Sequence, residues 1–357
     1  MLNRTKVPLI VASLLTLLAP GTAAAAQGGD YTVTNLVSDQ PGVAAHQDPN
    51  LVNAWGLAAG PMTPWWVADA DANVSTLYQA NGTALPLVVD VPGGPTGLVF
   101  NGSGGFVVTD GTTSGSSLFL FATEAGTIRG WSPAVPPPPL STQTFVGYDG
   151  SDEDANYKGL AIASTDEGTI LYGADFHNAE VEMFDDTFQE VTPEGAFEDP
   201  KLPGGFAPFG IQTIGDAVLV TYAKQDADAE DEVAGAGLGF VDEFSTTGEF
   251  IERVASKRHL NAPWGLAMAP ESFGAFGGDL LVGNFGDGRI NAFAPMPNGK
   301  FVFRGQLESA GAPLSIDGLW SLQFGNDAAA GSSQTLFFTA GPEEETHGLF
   351  GSIVPTA

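Results

Sequence analysis

Short runs of alternating apolar and polar residues, interrupted by Gly, Asn and Asp, make up most of this chain. Alternation with a period of two is the pattern of a half-buried β-strand, and the interruptions are typical of hairpin turns. One phrase recurs, in which a turn or aromatic residue precedes Gly-Leu-Ala or a close variant. Its six copies are Trp55-Gly56-Leu57-Ala58, Thr96-Gly97-Leu98-Val99, Lys158-Gly159-Leu160-Ala161, Phe209-Gly210-Ile211, Trp264-Gly265-Leu266-Ala267 and Trp320-Ser321-Leu322. This recurrence indicates a repeat architecture.

Each copy is followed by two further apolar runs with a turn between them, for example Trp65 to Asp69 and Val74 to Tyr78. Most copies add a fourth run, such as Leu85 to Val91 or Phe250 to Val254. The repeat predicts an all-β fold, a six-bladed β-propeller of four-stranded antiparallel blades, which leaves only short sheet edges open. A pair of β-sandwiches with incidental similarity is the alternative. Because the last unit has no room for a fourth strand, we expect the alternating segment Tyr31 to Val37 to close the last blade.

Four stretches of the chain resemble sequences of known proteins. They are LFLFATEAGTIRGW at Leu118 to Trp131, NAPWGLA at Asn261 to Ala267, LLVGNFGDGRINAF at Leu280 to Phe293 and FFTAGPEEETHGLFG at Phe338 to Gly351. The Gly-Leu-Ala pattern resembles NHL-type and gluconolactonase-type six-bladed propellers, and the four stretches are similar to an uncharacterised group of exported bacterial propellers. The resemblance covers nearly all of the chain after residue 26. It implies the propeller fold, and it implies no activity because that group has none assigned.

The N-terminal 26 residues have the pattern of a secretory signal peptide. Arg4 and Lys6 precede an apolar run from Val7 to Leu18, and small residues follow up to Ala26. The apolar run is too short to span a membrane, and no later segment is longer. We therefore expect residues 1–26 to be removed near Ala26, residues 27–357 to form a single propeller domain, and the protein to be secreted or periplasmic, without a membrane span and as a monomer.

Acidic residues greatly outnumber basic ones. The chain of 357 residues has 42 Asp and Glu against 12 Lys and Arg, so its formal net charge is −30. This balance excludes a nucleic-acid binder that works through a basic surface. It is compatible with bound cations or with life in high salt, and composition does not separate the two.

Chemistry is expected on one face of the propeller. In a four-stranded antiparallel blade, the loop that enters the first strand and the loop between the second and third strands emerge on the same side. The entry loops bring Asn53, Trp55, Tyr157, Lys158, Phe209, Asn261, Trp264, Asp317 and Trp320 to that side. The inner hairpin loops bring the candidate ligand and metal residues Asp69, Asp71, Glu124, Asp175, His177, Asn178, Asn284, Asp287 and His347, and the acidic run Asp226 to Glu232 is expected there too.

Carboxylate and amide oxygens around one opening suit a hard divalent cation, so the cofactor we expect is calcium or magnesium. The resemblance to gluconolactonase-type propellers implies a Glu, Asn and Asp ligand set, for which Glu124, Asp175 and Asn284 are the stand-ins. Turn chemistry is the competing interpretation, because Asp and Asn side chains commonly bond to N–H groups of their own turn. The tryptophans of the repeated phrase are expected to pack between blades rather than to bind sugar.

These residues are compatible with two functions. The first is a ligand- or partner-binding module, for a small molecule, a glycan or a protein at the loop face, with a structural divalent cation. The alternative is a metal-dependent hydrolase or lyase of the gluconolactonase or streptogramin-lyase type. The chain has no cysteine nucleophile, Gly-x-Ser-x-Gly elbow, His-Glu-x-x-His helix or phosphate loop that would indicate another chemistry.

Overall fold

The structure is a computed structural model that describes residues 29–165 and 168–356. The predicted signal peptide, residues 1–26, lies outside the described residues. Two short 3-10 helices, Ser151–Glu153 and Gly274–Phe276, accompany the strands. In chain order the strands are β1 (Gly29–Ser38), β2 (His46–Gln47), β3 (Ala54–Ala58), β4 (Trp65–Asp69), β5 (Val74–Tyr78), β6 (Val89–Asp90), β7 (Pro95–Phe100), β8 (Val107–Thr109), β9 (Ser114–Ser116), β10 (Phe119–Thr123), β11 (Thr127–Trp131), β12 (Phe145–Asp149), β13 (Tyr157–Thr165), β14 (Gly168–Asp175), β15 (Glu180–Phe184), β16 (Phe206–Ile214), β17 (Ala217–Lys224), β18 (Phe240–Ser245), β19 (Phe250–Ser256), β20 (Pro263–Met268), β21 (Leu280–Asn284), β22 (Ile290–Pro295), β23 (Phe301–Ser309), β24 (Ala312–Pro313), β25 (Leu319–Phe324), β26 (Leu336–Ala340) and β27 (Leu349–Pro355).

The strands form antiparallel units that follow one another along the chain. Unit A is β3 to β6, unit B is β7 with β10 to β12, unit C is β13 to β15, unit D is β16 to β19, unit E is β20 to β23, and unit F is β25 to β27 with β1. Two units differ from the predicted pattern. Unit C has three strands, and the fourth run of unit A, predicted from Leu85 to Val91, is a strand only at Val89–Asp90.

The first strands of the units form a closed ring. Neighbouring pairs are β3 with β7, β7 with β13, β13 with β16, β16 with β20, β20 with β25, and β25 with β3. This arrangement is a β-propeller, and the predicted all-β propeller class is confirmed. The glycine of the repeated phrase is explained by the close approach of these strands, since a Cβ at Gly56 would clash with the carbonyl oxygen of Thr96, and one at Gly210 with that of Trp264.

The N-terminal strand completes the last unit, as the sequence predicted. Strand β1 pairs with β27 in antiparallel register from Tyr31 opposite Pro355 to Ser38 opposite Leu349. Its start also pairs with β23 of unit E, and the Tyr31 hydroxyl donates a hydrogen bond to the carbonyl of Phe273 at 3.1 Å. The strand therefore joins units E and F and covers an edge that would otherwise be open.

Aromatic side chains fill the axis at the start of the inner strands. Trp55 stacks on Trp320 with ring centroids 3.5 Å apart, and Phe209 and Trp264 pack edge-on against the pair. All four are buried, so the tryptophans serve packing, as expected. We call these four residues the aromatic layer. Among the described residues, no helix has the length and apolar character needed to cross a membrane.

Candidate functional site

Polar side chains from five of the units meet above the aromatic layer, on the face that carries the entry loops. We call them the axial cluster: Asn53 and Asp71 from unit A, Glu124 from unit B, Lys158 from unit C, Asp231 and Glu232 from unit D, and Glu345 from unit F. Each is supplied by an entry loop, by the first residues of an inner strand, or by the loop between the second and third strands. The predicted face therefore does gather charged groups from distant parts of the sequence.

Lys158 lies at the base of this cluster. Its side chain is 1% exposed, and its Nζ is 2.5 Å from Glu124 Oε1 and 3.4 Å from Asp231 Oδ1. The same ammonium lies 5.4 Å from the ring centroid of Trp55, within the range of a cation–π contact. Burial opposes its charge, but Glu124, Asp231 and Glu232 together raise the pKa of Lys158 above its usual value, so it is a fixed cation.

Asn53 connects the cluster to the aromatic layer. Its Oδ1 accepts a hydrogen bond from Trp320 Nε1 at 3.2 Å, and its Nδ2 donates to Glu345 Oε2 at 2.8 Å. A weaker bond of 3.4 Å joins Nδ2 to Asp71 Oδ1. Asn53 has a φ of 49°, a left-handed conformation that Asn adopts more easily than most residues.

The loop that carries Glu345 is strained. Glu343, Glu344 and Glu345 have φ values of 57°, 55° and 66°, so three consecutive residues with a Cβ lie in the left-handed region. Such a conformation costs roughly 1–2 kcal/mol per residue. The contacts that hold the loop include the bond from Asn53 to Glu345 and one from the Glu343 backbone N–H to Asp317 Oδ2 at 2.9 Å. Strain of this kind is commonly held at functional sites.

Two carboxyl groups of the cluster hold protons unusually tightly. Burial, followed by the charge of Glu345, raises the pKa of Glu232 to about 8, although Lys158 opposes the shift. Burial also raises the pKa of Glu345, against the hydrogen bond from Asn53. Glu232 is therefore largely protonated at neutral pH. The axial cluster combines a fixed ammonium, ionised carboxylates and a proton donor.

The three residues predicted to share a metal ion have separate partners. Glu124 binds Lys158 in the axial cluster. Asp175 Oδ1 accepts hydrogen bonds from the backbone N–H groups of Asn156 and His177, at 3.1 and 3.0 Å. Asn284 Nδ2 donates to the His259 carbonyl at 2.8 Å and to Asp287 Oδ1 at 2.9 Å. These bonds tie Asp175 and Asn284 to nearby loops, whereas Asn284 Oδ1 is buried without a hydrogen bond among the described residues. Joint ligation with Glu124 stays a prediction.

The other predicted site residues divide between the axial cluster and local turns. Asp71 belongs to the cluster, whereas Asp69 is buried and accepts hydrogen bonds from the backbone and hydroxyl of Thr76. Asn178 Nδ2 donates to Asp175 Oδ2 at 2.8 Å, and His177 contributes a carbonyl that accepts a bond from Gln225.

His347 connects the loop of unit F to the N-terminal strand. Its Nδ1 is 2.6 Å from Asp39 Oδ2, and its Nε2 is 3.7 Å from Glu343 Oε2. The hydrogen bond with Asp39 raises the pKa of His347. The backbone carbonyl of His347 also accepts a bond from the Asn53 N–H at 3.1 Å, which ties this histidine to the edge of the axial cluster.

A second acidic group lies between units B and C. Asp175, Glu180 and Glu182 offer carboxylate oxygens that all lie within 4.8 Å of one another, so this acidic triad could hold a metal ion. The Tyr157 hydroxyl donates a hydrogen bond to Glu182, and burial raises the pKa of Glu182 to about 8. Among the described residues, no Lys, Arg or His forms an ion pair with the triad.

Sequence reasoning did not identify several of these residues. The sequence predicted that Lys158 and Asn53 lie on this face but assigned them no function, and Glu232 was included only as part of the acidic run Asp226 to Glu232. Glu180 and Glu182 were missed because they lie in a strand. The Glu-Val-Glu alternation that places both on one side of β15 was the available signal.

Comparison with solved structures agrees with the fold. The chain is similar to a glucose dehydrogenase, with a TM-score of 0.54, 13% identity and coverage of 91% of this chain and 100% of that one. It is also similar to a streptogramin B lyase, with a TM-score of 0.51, 13% identity and coverage of 91% and 97%. At such identities the likeness shows the fold alone. It supports the propeller fold that the sequence resemblance implied.

Comparison with known sequences identifies viral relatives. No family model matches the chain. An uncharacterized protein of Acanthamoeba polyphaga mimivirus is 34% identical over 334 residues, which is 90% of this chain and 80% of that protein. A second uncharacterized mimivirus protein is 33% identical over 340 residues, or 91% and 86%. The expectation of a bacterial, exported group has no support from these relatives. The chain belongs to the family of these uncharacterized mimivirus proteins.

Proposed function

We propose that the protein is a ligand-binding propeller whose axial cluster receives the cationic group of a small molecule. The observation that carries this proposal is the buried Lys158, paired with Glu124 beneath carboxyl groups from three other units. One internal ammonium does not balance the carboxylates of Asp71, Glu124 and Asp231. A ligand cation would supply the missing charge, and it would be favoured over an anion at the mouth of so acidic a chain.

The pH dependence of cation binding tests this proposal, because Glu232 must release its proton to pair with a cation. A cation binds more strongly to ionised Glu232 than to its protonated form, and the pKa of Glu232 is raised to about 8. Diaminobutane, a small dication, should therefore bind up to about twentyfold more tightly at pH 8.5 than at pH 6.5. Isothermal titration calorimetry at both pH values measures the ratio. The Glu232→Gln variant should show little pH dependence, and the exposed control Glu249→Gln should behave as the wild type.

The contrary results are equally definite. Binding that is equally strong at both pH values would exclude Glu232 as the group that meets the cation. Absence of any binding heat in the wild type at either pH, with the fold intact by circular dichroism, would contradict the proposal for cationic ligands.

We further propose that the acidic triad holds a structural calcium or magnesium ion. Oxygen ligands suit both ions, and the triad has no basic partner among the described residues. After chelation, added calcium or magnesium should raise the thermal unfolding temperature, because an ion that binds only the folded state stabilises it. Glu182→Gln should abolish the increase and Glu232→Gln should retain it. An increase that survives Glu182→Gln would refute the triad as the site.

Catalysis is the second candidate, and one observation favours it. Glu232 carries a proton beside the Lys158 ammonium, and such a pair could protonate a leaving group while it stabilises negative charge. The predicted hydrolase or lyase activity would then need turnover of a lactone or ester, with or without calcium. A screen of such substrates, with Glu232→Gln as the inactive variant, separates catalysis from binding alone.

Export and the monomeric state stand as proposals that rest on the sequence. Residues 1–26 have the charge and apolar pattern of a signal peptide. N-terminal sequencing of the mature protein from an expression host should begin near residue 27. Light scattering should give the mass of one chain.

A further inference from the structure

A second cavity lies on the axis, on the other side of the aromatic layer from the axial cluster. The inner strands line a solvent-open space of about 260 Å³, which adjoins another of about 270 Å³. The two spaces share Gln212, Thr213 and Gln323, so they form one chamber. A strand rises about 3.3 Å per residue, which places Gln323 roughly 10 Å beyond Trp320 along β25. We call this space the neutral chamber.

The walls of the neutral chamber carry no charge. Among the described residues that line it, none is Asp, Glu, Lys, Arg or His. Apolar side chains such as Ile162 and the partly exposed Met268 share the wall about equally with uncharged polar groups. This contrasts with the axial cluster and with the net charge of −30 for the whole chain. The two ends of the axis therefore differ in the molecules that they would accept.

Three uncharged polar side chains line the chamber: one has a buried atom without a partner, and two are partly exposed amides. Thr213 Oγ1 is buried without a hydrogen bond. The Gln212 amide makes one long contact, 3.5 Å from its Nε2 to the Thr213 carbonyl. Within the described part of the chain, the structure gives the Gln323 side chain no hydrogen bond. An unsatisfied buried polar group costs free energy, so the Thr213 hydroxyl favours a bound molecule that hydrogen-bonds to it, and the partly exposed amides of Gln212 and Gln323 lie beside it to bind the same molecule.

We propose that the neutral chamber binds a small uncharged molecule that has an apolar body and an amide or hydroxyl group. Apolar walls with a few convergent polar groups are the usual composition of a small-molecule site. An anion would find no basic side chain in the wall, and a cation would be drawn to the axial cluster instead. This site is separate from the proposed cation site, and its test does not depend on that proposal.

Methionine labelling provides a local test. Met268 lines the chamber, and Met62 and Met296 are exposed at positions that do not line it. In protein labelled with carbon-13 at the methionine methyl groups, titration with N-butylacetamide should shift the Met268 signal in a saturable manner. The signals of Met62 and Met296 should stay in place. Butylammonium and pentanoate, which have the same butyl tail with a charge, should not shift the Met268 signal at equal concentrations.

Variants that keep the volume of the side chain test the hydrogen bonds. Gln323→Leu should weaken binding of N-butylacetamide by about tenfold, the effect of one lost hydrogen bond with its desolvated partner. The exposed control Gln334→Leu should leave the affinity unchanged, and circular dichroism confirms that both variants fold. A Met268 signal that does not move, that moves linearly together with Met62, or that responds equally to the charged analogues would overturn the proposal. Unchanged affinity in Gln323→Leu would exclude the amide as the recognition group.

Discussion

Replacement of Asn53 tests how the ring is closed and how the axial cluster is held. Asn53 stands at the contact between units A and F and is 4% exposed. Its side chain joins Trp320 Nε1 to Glu345 Oε2, and its backbone N–H donates to the His347 carbonyl. The change Asn53→Ala removes these side-chain bonds and the weaker one to Asp71, and it leaves the backbone bond in place.

The expected loss of stability has three parts. The indole N–H of Trp320, which is fully buried, would lose its partner, at a cost of about 1–3 kcal/mol. Loss of the hydrogen bond to Glu345 removes about 1 kcal/mol more. Alanine in the left-handed conformation of Asn53 adds a penalty of about 1 kcal/mol. Because such contributions are not strictly additive, we expect Asn53→Ala to lower the free energy of unfolding by about 3 kcal/mol.

Chemical denaturation measures this value, provided that the dependence of the unfolding free energy on denaturant concentration is the same in the variant and the wild type. Asn53→Gly is the matched variant. Glycine loses the same side-chain bonds but accepts a positive φ without strain, so it should be about 1 kcal/mol more stable than the alanine variant. If Asn53→Ala lowers the free energy of unfolding by less than about 0.5 kcal/mol, the bond to Trp320 does not stabilise the contact between units A and F. An alanine variant as stable as the glycine variant would refute the argument from backbone conformation.

Three further predictions concern the rest of the molecule. Deletion of residues 31–37 should expose the edge of β27 and convert the protein to aggregates in size-exclusion chromatography, and a monomer with an unchanged melting temperature would refute ring closure by β1. Arg253→Met should lower the free energy of unfolding by about 3–5 kcal/mol at pH 8, because it leaves the buried Asp199 and Asp242 without their cation. The loss should be smaller at pH 5, since burial raises the pKa of Asp242 to about 7 and the group is protonated there; equal losses at both pH values would contradict this account. The hydrogen bond with Asp39 raises the pKa of His347, so the charged imidazole stabilises the fold fully below the unfolded pKa near 6.5, and this stabilisation is lost as pH rises through the folded pKa. His347→Gln should therefore flatten the stability profile above about pH 6.5.

The propeller class could be predicted because its cause recurs along the sequence. In five of the six units the inner strand passes so close to the next that only glycine fits at one position, and Leu or Ile follows that glycine in all five phrases. The sixth phrase has Ser321 there. The N-terminal strand was predictable for a related reason, since an alternating segment without a partner must pair with the unit that lacks one. Both inferences depend on backbone geometry that repeats.

The number of strands in each unit was less predictable. The segment Leu85 to Val91 has apolar residues suited to a strand, yet only Val89–Asp90 pairs with β5 in the sheet, while Leu85 and Leu87 pack against the core between units A and B. In unit C, the chain after β15 turns instead of adding a strand, and a single bridge joins Phe184 to Glu190. Apolar residues that pack on a core do not by themselves require a paired backbone.

The residues of the candidate site are of two kinds, those at positions that recur in each unit and those that have no counterpart in the other units. Asp175 and Asn284 stand at equivalent hairpin positions, and Asp175 Oδ1 and Asn284 Nδ2 each take part in a hydrogen bond of their own loop, as Asp and Asn commonly do in turns. Glu232 and Glu345 have no counterpart in the repeat, and their carboxyl groups lie in the axial cluster instead. Their positions depend on loop lengths and on a strained backbone that no short sequence pattern specifies. In a propeller, repeated polar residues are therefore better evidence for fold, and the acidic or basic residues that break the repeat on the entry-loop face are better candidates for ligand binding.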